Sequence, residues 1–443
     1  MRTSLATLAL AGVLLFVFAV AQARRCPDVP AMTAAARNGD ARAIGELRSY
    51  GPGGLKSFIE FSQEDLERYR ASAAEGAGRF GAGDRWAGLV KAIDAIAGQY
   101  DAAWSELYWF TNFEEAKELA QRSGKPILSL RLLGRLDEEL SCANSRFFRS
   151  TLYANERVAA LLRDRFILHW ESVRPAPVIT IDYGDGRTLK TTITGNSIHY
   201  VLTPDGTVVD ALPGLWSPED FVAILTDAIH TANLVSENPD EVMVTLTQYW
   251  QGHLDGIDFR RKDHGILPGE PLAGRARPNG LAAQNLTVSK AMAELPLARR
   301  AGPRLDRRLA ELGVDRWQVA GAAEPPCKFD SRSSALIRAS STNLTGAAHE
   351  LQWAQTLMIF GRTVAADSLF NRLGLRRDVL AMLCQTPALA QDQTLLNARV
   401  YAEVFLTPDS DPWLGMYEPS TFSGLWGGPA HAAQSGAIAQ LGD

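Results

Sequence analysis

Pro126 introduces a dense apolar run, Ile127 to Leu133, that ends at Gly134. A run this short, bounded by turn formers, reads as a strand with both faces covered. A strand buried on both faces needs helices above and below it, so the middle of the chain is committed to a layered α/β arrangement. The neighbouring segments read accordingly. Thr111-Asn112-Phe113-Glu114 has the form of a capping box and opens a helix to about Gln121, which Ser123-Gly124 stops. Beyond a loop that carries Asp137, Glu138 and Glu139 come two helical pieces, Ala143 to Leu152 and Asn155 to Asp164. Phe166 to Val173 is a second strand. Val178–Tyr183 and Arg187–Thr194 flank Gly184-Asp185-Gly186 as a hairpin, and Ile198–Leu202 and Thr207–Asp210 flank Thr203-Pro204-Asp205-Gly206 as another. Ser217 caps a last helix, with Pro218 at its first position, ending near Thr231.

The flanks are helical. Asp40 and Gly51 bracket a short helix, Ser62 opens another that ends near Gly76, and a strongly amphipathic one runs from Asp84 to about Tyr108. After Ser236 the pattern is helix and loop. Helices are expected at 240–254, 281–295, 303–312, 347–360, 364–373 and 392–405, with a Gly- and Pro-rich loop at 263–280. The 443 residues leave room for two or three domains at about 150 residues each. The expected division is a targeting segment 1–23, an N-terminal helical region 24–104, a central α/β domain 105–235, a C-terminal helical domain 236–428 and a tail 429–443.

Arg2, the apolar run Leu5 to Val20 and Ala21-Gln22-Ala23 have the layout of a secretory signal peptide cleaved after Ala23. An uncleaved membrane anchor is the alternative. Arg25 before Cys26 excludes a lipoprotein site. The expected location is therefore the periplasm or the exterior. Net charge is -5, and only 8 of the 45 basic residues are lysine, a bias that points to a GC-rich bacterial genome. This balance excludes a basic nucleic-acid binder and a disordered chain. Four cysteines, Cys26, Cys142, Cys327 and Cys384, allow two disulfides in an oxidising compartment, in three pairings.

The order helix, buried strand, cysteine loop, helix, strand, hairpin, helix over about 105–235 resembles the thioredoxin fold. Three local matches carry the likeness to secreted thioredoxin-like domains: Gly124-Lys125-Pro126-Ile127-Leu128 after a helix, Asn155–Leu162 before Phe166-Ile167-Leu168, and Val201-Leu202-Thr203-Pro204-Asp205-Gly206. The resemblance implies a mixed sheet flanked by helices, with a redox motif opening the helix after the first core strand. Here that motif is Cys142-Ala143-Asn144-Ser145. The helix dipole would stabilise a Cys142 thiolate, but Ser145 stands where the resolving thiol should be, and a hydroxyl cannot attack a disulfide. Dithiol exchange is thereby disfavoured. A single-thiol reaction of Cys142, thiol exchange or peroxide reduction, remains open.

The family also places a cis-proline before the late core strand, facing the active cysteine. The matching position is Ser197, in Gly195-Asn196-Ser197-Ile198, so Asn196 and Ser197 mark a substrate loop of altered shape. The acids at 137–139 are expected to raise a nearby thiol pKa.

Each candidate has a plainer reading. Cys142 is either a buried small side chain, half of a disulfide with Cys26, or a reactive thiol. Ser145 is either catalytic or a first-turn hydroxyl serving the backbone. Cys327 and Cys384 form a disulfide or stand alone. Of seven histidines, His169 and His199 lie in strands that could bring them near each other and near Cys142, as an activating pair or as hydrogen-bonded core groups.

No histidine or cysteine spacing defines a metal site, and no cofactor is expected. Gly76-Ala77-Gly78-Arg79-Phe80-Gly81 matches GxGxxG but follows a helix, so it reads as a linker. Asn285-Leu286-Thr287 and Asn343-Leu344-Thr345 are glycosylation sequons without meaning in a bacterial chain. Tyr401–Gly415 reads as an arm docking through Phe405, Leu406 and Trp413, the alternative being a carboxylate pair of Glu403 and Asp411. The expectation is an exported thioredoxin-fold binding or scaffold module, with a Cys142 monothiol enzyme as alternative. A protein or protein thiol is the expected partner.

Overall fold

In a computed structural model, residues 29–75, 85–192, 195–264, 323–340, 347–412 and 414 are described. The targeting segment with Cys26, the GxGxxG match, the helices expected at 281–295 and 303–312, both sequons, nearly all of the 263–280 loop, Trp413 and the tail lie outside the described residues. Among the described residues no helix is long and apolar enough to cross a membrane.

The N-terminal helices are α1 (Val29–Arg37), α2 (Ala41–Ser49), α3 (Pro52–Phe61), α4 (Gln63–Ala74), α5 (Ala87–Ala97) and the single turn α6 (Ala102–Ser105). Asp40 caps α2 with its side chain, as its position implies. The expected long helix to Tyr108 is broken after Ala97. Gly98 adopts φ 68° and ends α5, and Asp101 and Glu106 are also left-handed. A Cβ at Gly98 would meet the Trp109 carbonyl and the Arg48 guanidinium, so the chain turns there because tertiary neighbours require a glycine. The apolar spacing continued through the break because both pieces bury their faces in one core. α3, which the sequence reading passed over, starts with Pro52 at its first position.

The central part runs α7 (Phe113–Ser123), β1 (Ile127–Leu133), α8 (Ala143–Phe147), wider π turns over Phe148–Tyr153, α9 (Glu156–Arg165), β2 (Ile167–Arg174), β3 (Val178–Asp182), β4 (Thr188–Thr192), β5 (Ser197–Leu202), β6 (Val208–Pro213) and α10 (Pro218–Glu237). The cap of α7 is Asn112 rather than Thr111, its side chain accepting from the backbone of Glu114 and Glu115. Four strands form one mixed sheet in the order β2-β1-β5-β6, with β1 parallel to β2 and antiparallel to β5, and β5 antiparallel to β6. Phe110 adds a parallel bridge to His169 on the outer edge of β2. β3 and β4 pair only with each other, as a separate hairpin.

The C-terminal helices are α11 (Val242–Asp263), α12 (Ser331–Ala339), α13 (Ala347–Phe370), α14 (Arg376–Gln385) and α15 (Gln393–Arg399), the last continued by π turns over Val400–Val404. The break expected near residue 361 is absent. Gly361 instead admits the backbone of Cys327, whose N–H donates to the Gly361 carbonyl at 3.0 Å, leaving no room for a side chain. One continuous apolar cluster joins the N-terminal helices, the sheet and the C-terminal helices. The chain is thus mixed α/β, a small mixed sheet flanked by helices.

Candidate functional site

β1 runs parallel to the helix that follows it only after a loop, and that loop delivers Cys142 to the N-cap of α8. Its Sγ accepts from the Ser145 N–H at 3.4 Å and its own N–H donates to the Leu133 carbonyl. The thiol is free and completely buried. Burial pushes its pKa up, against hydrogen bonds from the Ser145 and Leu133 region and the charge of Arg146 that pull it down. The helix N-terminus therefore does not produce a thiolate here, because the group is out of water.

The acids at 137–139 do not raise the thiol. Arg135 binds the Asp137 carboxylate with two nitrogens at 2.6 and 2.9 Å and lies beside Glu138. Buried Arg149 holds the loop from behind, donating to the Glu138 and Glu139 carbonyls. The carboxylates are neutralised or turned outward before their charge can reach the sulfur. Ser145 serves the backbone: its hydroxyl donates to the Cys142 carbonyl at 2.9 Å and also bonds Ser141. The disulfides weighed for Cys142 and for Cys327 with Cys384 are not formed, since all three are free thiols. Burial lifts the Cys327 thiol to about 12.

The Gly195-Asn196-Ser197 loop does face the Cys142 helix. Asn144 donates to the Gly195 carbonyl, and a Cβ at Gly195 would strike the Asn144 amide. The loop has no cis peptide bond, and the Ser197 hydroxyl is buried with no hydrogen-bond partner in the protein. Asn196 reaches the other way: its amide donates to the Thr407 hydroxyl at 2.8 Å, and its carbonyl accepts from the Tyr401 hydroxyl at 3.0 Å. The substrate-loop position is thus covered by the C-terminal segment.

The two strand histidines are not brought together. β1 lies between β2 and β5, and residues paired across neighbouring strands share a face. His169, Ser129 and Tyr200 line one face, whereas His199, Leu130 and Trp170 line the other. His169 bonds the Ser129 hydroxyl at 2.9 Å. His199 bonds Tyr153 at 2.7 Å and packs between Phe148 and Phe221. Burial lowers each to about 3, so both are neutral core groups. Neither is positioned to take the Cys142 proton. The phenols closest in effect to the sulfur are Tyr153 and Tyr401, whose own pKa values rise through burial first and then through the charge a Cys142 thiolate would carry.

Sequence reasoning missed the polar groups that join the C-terminal helices to the sheet. Arg131, in mid-strand, binds Glu171 across the β1–β2 pair and the Gln393 carbonyl oxygen at 3.0 Å. A charge inside an otherwise apolar strand was the available signal. Asp210 in β6 is fully buried and accepts from Arg376 at 2.6 and 3.1 Å and from the Tyr249 hydroxyl at 2.6 Å. At the C-terminal arm, Phe405 is buried as expected and Leu406 is half-buried. Glu403 is taken by Arg399 at 2.7 Å, which removes the Glu403–Asp411 acid pair as a catalytic unit. Among the described residues no cluster of histidine, cysteine or carboxylates is placed to hold a metal ion.

No family model, curated protein or solved structure matches the chain.

Proposed function

We propose that this chain is an exported thioredoxin-like protein that has given up dithiol exchange and acts as a binding or scaffold module. The observation that carries the reading is the state of Cys142. It occupies the helix-opening position expected of a redox motif, yet its sulfur is out of solvent, its pKa is raised and Ser145 replaces the second thiol. Exchange needs a thiolate that a disulfide can reach and a second sulfur to release the mixed product. Neither is provided. The order of elements supports the thioredoxin-like part of the reading: helix, strand, cysteine loop, helix, parallel strand and antiparallel pair, in the sequence the resemblance implies. Export rests on the Leu5–Val20 run and the Ala21-Gln22-Ala23 site.

The purified chain is expected not to accelerate insulin reduction by a small dithiol above the uncatalysed rate. Insulin turnover that is lost in Cys142→Ser overturns this reading in favour of a monothiol enzyme. So does rapid alkylation of Cys142 with a midpoint below about pH 7.5, the range of activated thiols.

A further inference from the structure

The segment from Gln393 to Asp411 crosses the end of the sheet nearest Cys142, and it is held there by single hydrogen bonds. Arg131 donates to Gln393, Tyr200 to Asn397 at 3.2 Å, Tyr401 to Asn196, Asn196 to Thr407, and Arg174 to the carbonyls of Thr407 and Asp411 at 3.3 and 2.9 Å. The seam is also incompletely paired. Arg131 Nε, Arg174 Nε, the Ser197 hydroxyl and the Gln393 amide nitrogen are buried with no hydrogen-bond partner in the protein. A buried donor without a partner favours the state in which water can reach it. The chain turns into the crossing at Leu406 with φ 57°, a left-handed conformation that costs a branched side chain strain.

These observations share one consequence. The closed seam is less favourable, contact for contact, than the apolar core it borders. We propose that Gln393–Asp411 is a detachable latch, opening by local unfolding while the sheet stays folded, and uncovering the Cys142 and Asn196–Ser197 surface. The inference goes beyond the scaffold reading and does not require Cys142 to be catalytic. It makes that surface one that a protein partner meets only after the latch is displaced.

Two readouts on the intact chain test it. In native-state hydrogen exchange, the amides of Phe405 and Thr407, which bond Val400 and Tyr401, report the latch. They should open with little urea dependence and well before amides of β1, β6 and α14. Alkylation of Cys142 by iodoacetamide, followed by peptide mass spectrometry, should share that shallow urea dependence. Tyr401→Phe should speed both by about fivefold, the loss of one ordinary hydrogen bond. Thr407→Val, which removes a different bond of the seam, should act in the same direction should Tyr401→Phe prove misfolded. The proposal is overturned if the latch amides open only with β6 and α14, or if Cys142 is labelled only along the global unfolding transition. Either result leaves the insulin experiment, and hence the scaffold reading, untouched.

Discussion

The C-terminal helices grip the sheet in two places, and the two grips are built differently. At β6, Asp210 is saturated: Arg376 donates two hydrogen bonds, Tyr249 donates one, and the Ala211 N–H supplies a fourth at 2.7 Å. Arg376 keeps its charge through Asp210 despite near-complete burial, which alone would lower its pKa. At the other end of the sheet, Arg131, Asn196 and Tyr401 meet the latch segment by single bonds, with donors left over. Both are polar contacts between the same two parts of the molecule. The difference teaches that the number of polar contacts does not rank two interfaces. Complete pairing makes a buried charge costly to remove, whereas incomplete pairing lowers the cost of opening.

The largest expected effect breaks the first grip. Asp210→Ala strands the Arg376 guanidinium in the core and should cost about 3–5 kcal/mol in urea unfolding, the usual penalty for orphaning a buried charge. Replacing both partners, Asp210→Leu with Arg376→Met, should recover much of that loss. A double variant as unstable as the single would refute the saturated-pair account.

The next test uses pH and leaves both grips intact. His169 and His199 are held near 3 in the folded state against an ordinary value of 6.5. Below 6.5 the unfolded chain binds protons that the folded chain refuses, so stability is full above that pH and falls as pH drops toward 3. The slope should approach about 1.4 kcal/mol per pH unit for each histidine. Urea midpoints measured from pH 7.5 to 4.5 should fall accordingly, and His199→Gln should remove about half of the slope. A flat profile would contradict neutral burial.

Breaking the second grip should do less. Tyr401→Phe removes one bond to the Asn196 carbonyl and should lower global stability by about 0.5–1.5 kcal/mol, well under the Asp210 effect. Equal losses at the two sites would erase the distinction drawn between them. The smallest change belongs to the exposed Arg399–Glu403 pair on the outside of the latch, where Glu403→Ala should leave the urea midpoint within error.

Much of the fold was legible in the chain because local chemistry set it. The apolar run after Pro126 became β1, Asp40, Asn155 and Ser217 capped their helices with their side chains, and both glycine-bearing turns closed hairpins. The position of Cys142 at a helix start was equally readable, since it needs only a strand, a loop and a helix in order. What the sequence could not decide was what covers that cysteine. The break at Gly98, the unbroken helix through Gly361, the opposite faces of His169 and His199, and the bond from Tyr401 to Asn196 all depend on partners tens to hundreds of residues away. Propensity and spacing act over a few residues, whereas burial is a property of the packed whole. The chain by itself thus determined where a thiol would stand, and only the tertiary structure decided that it stands in the dark.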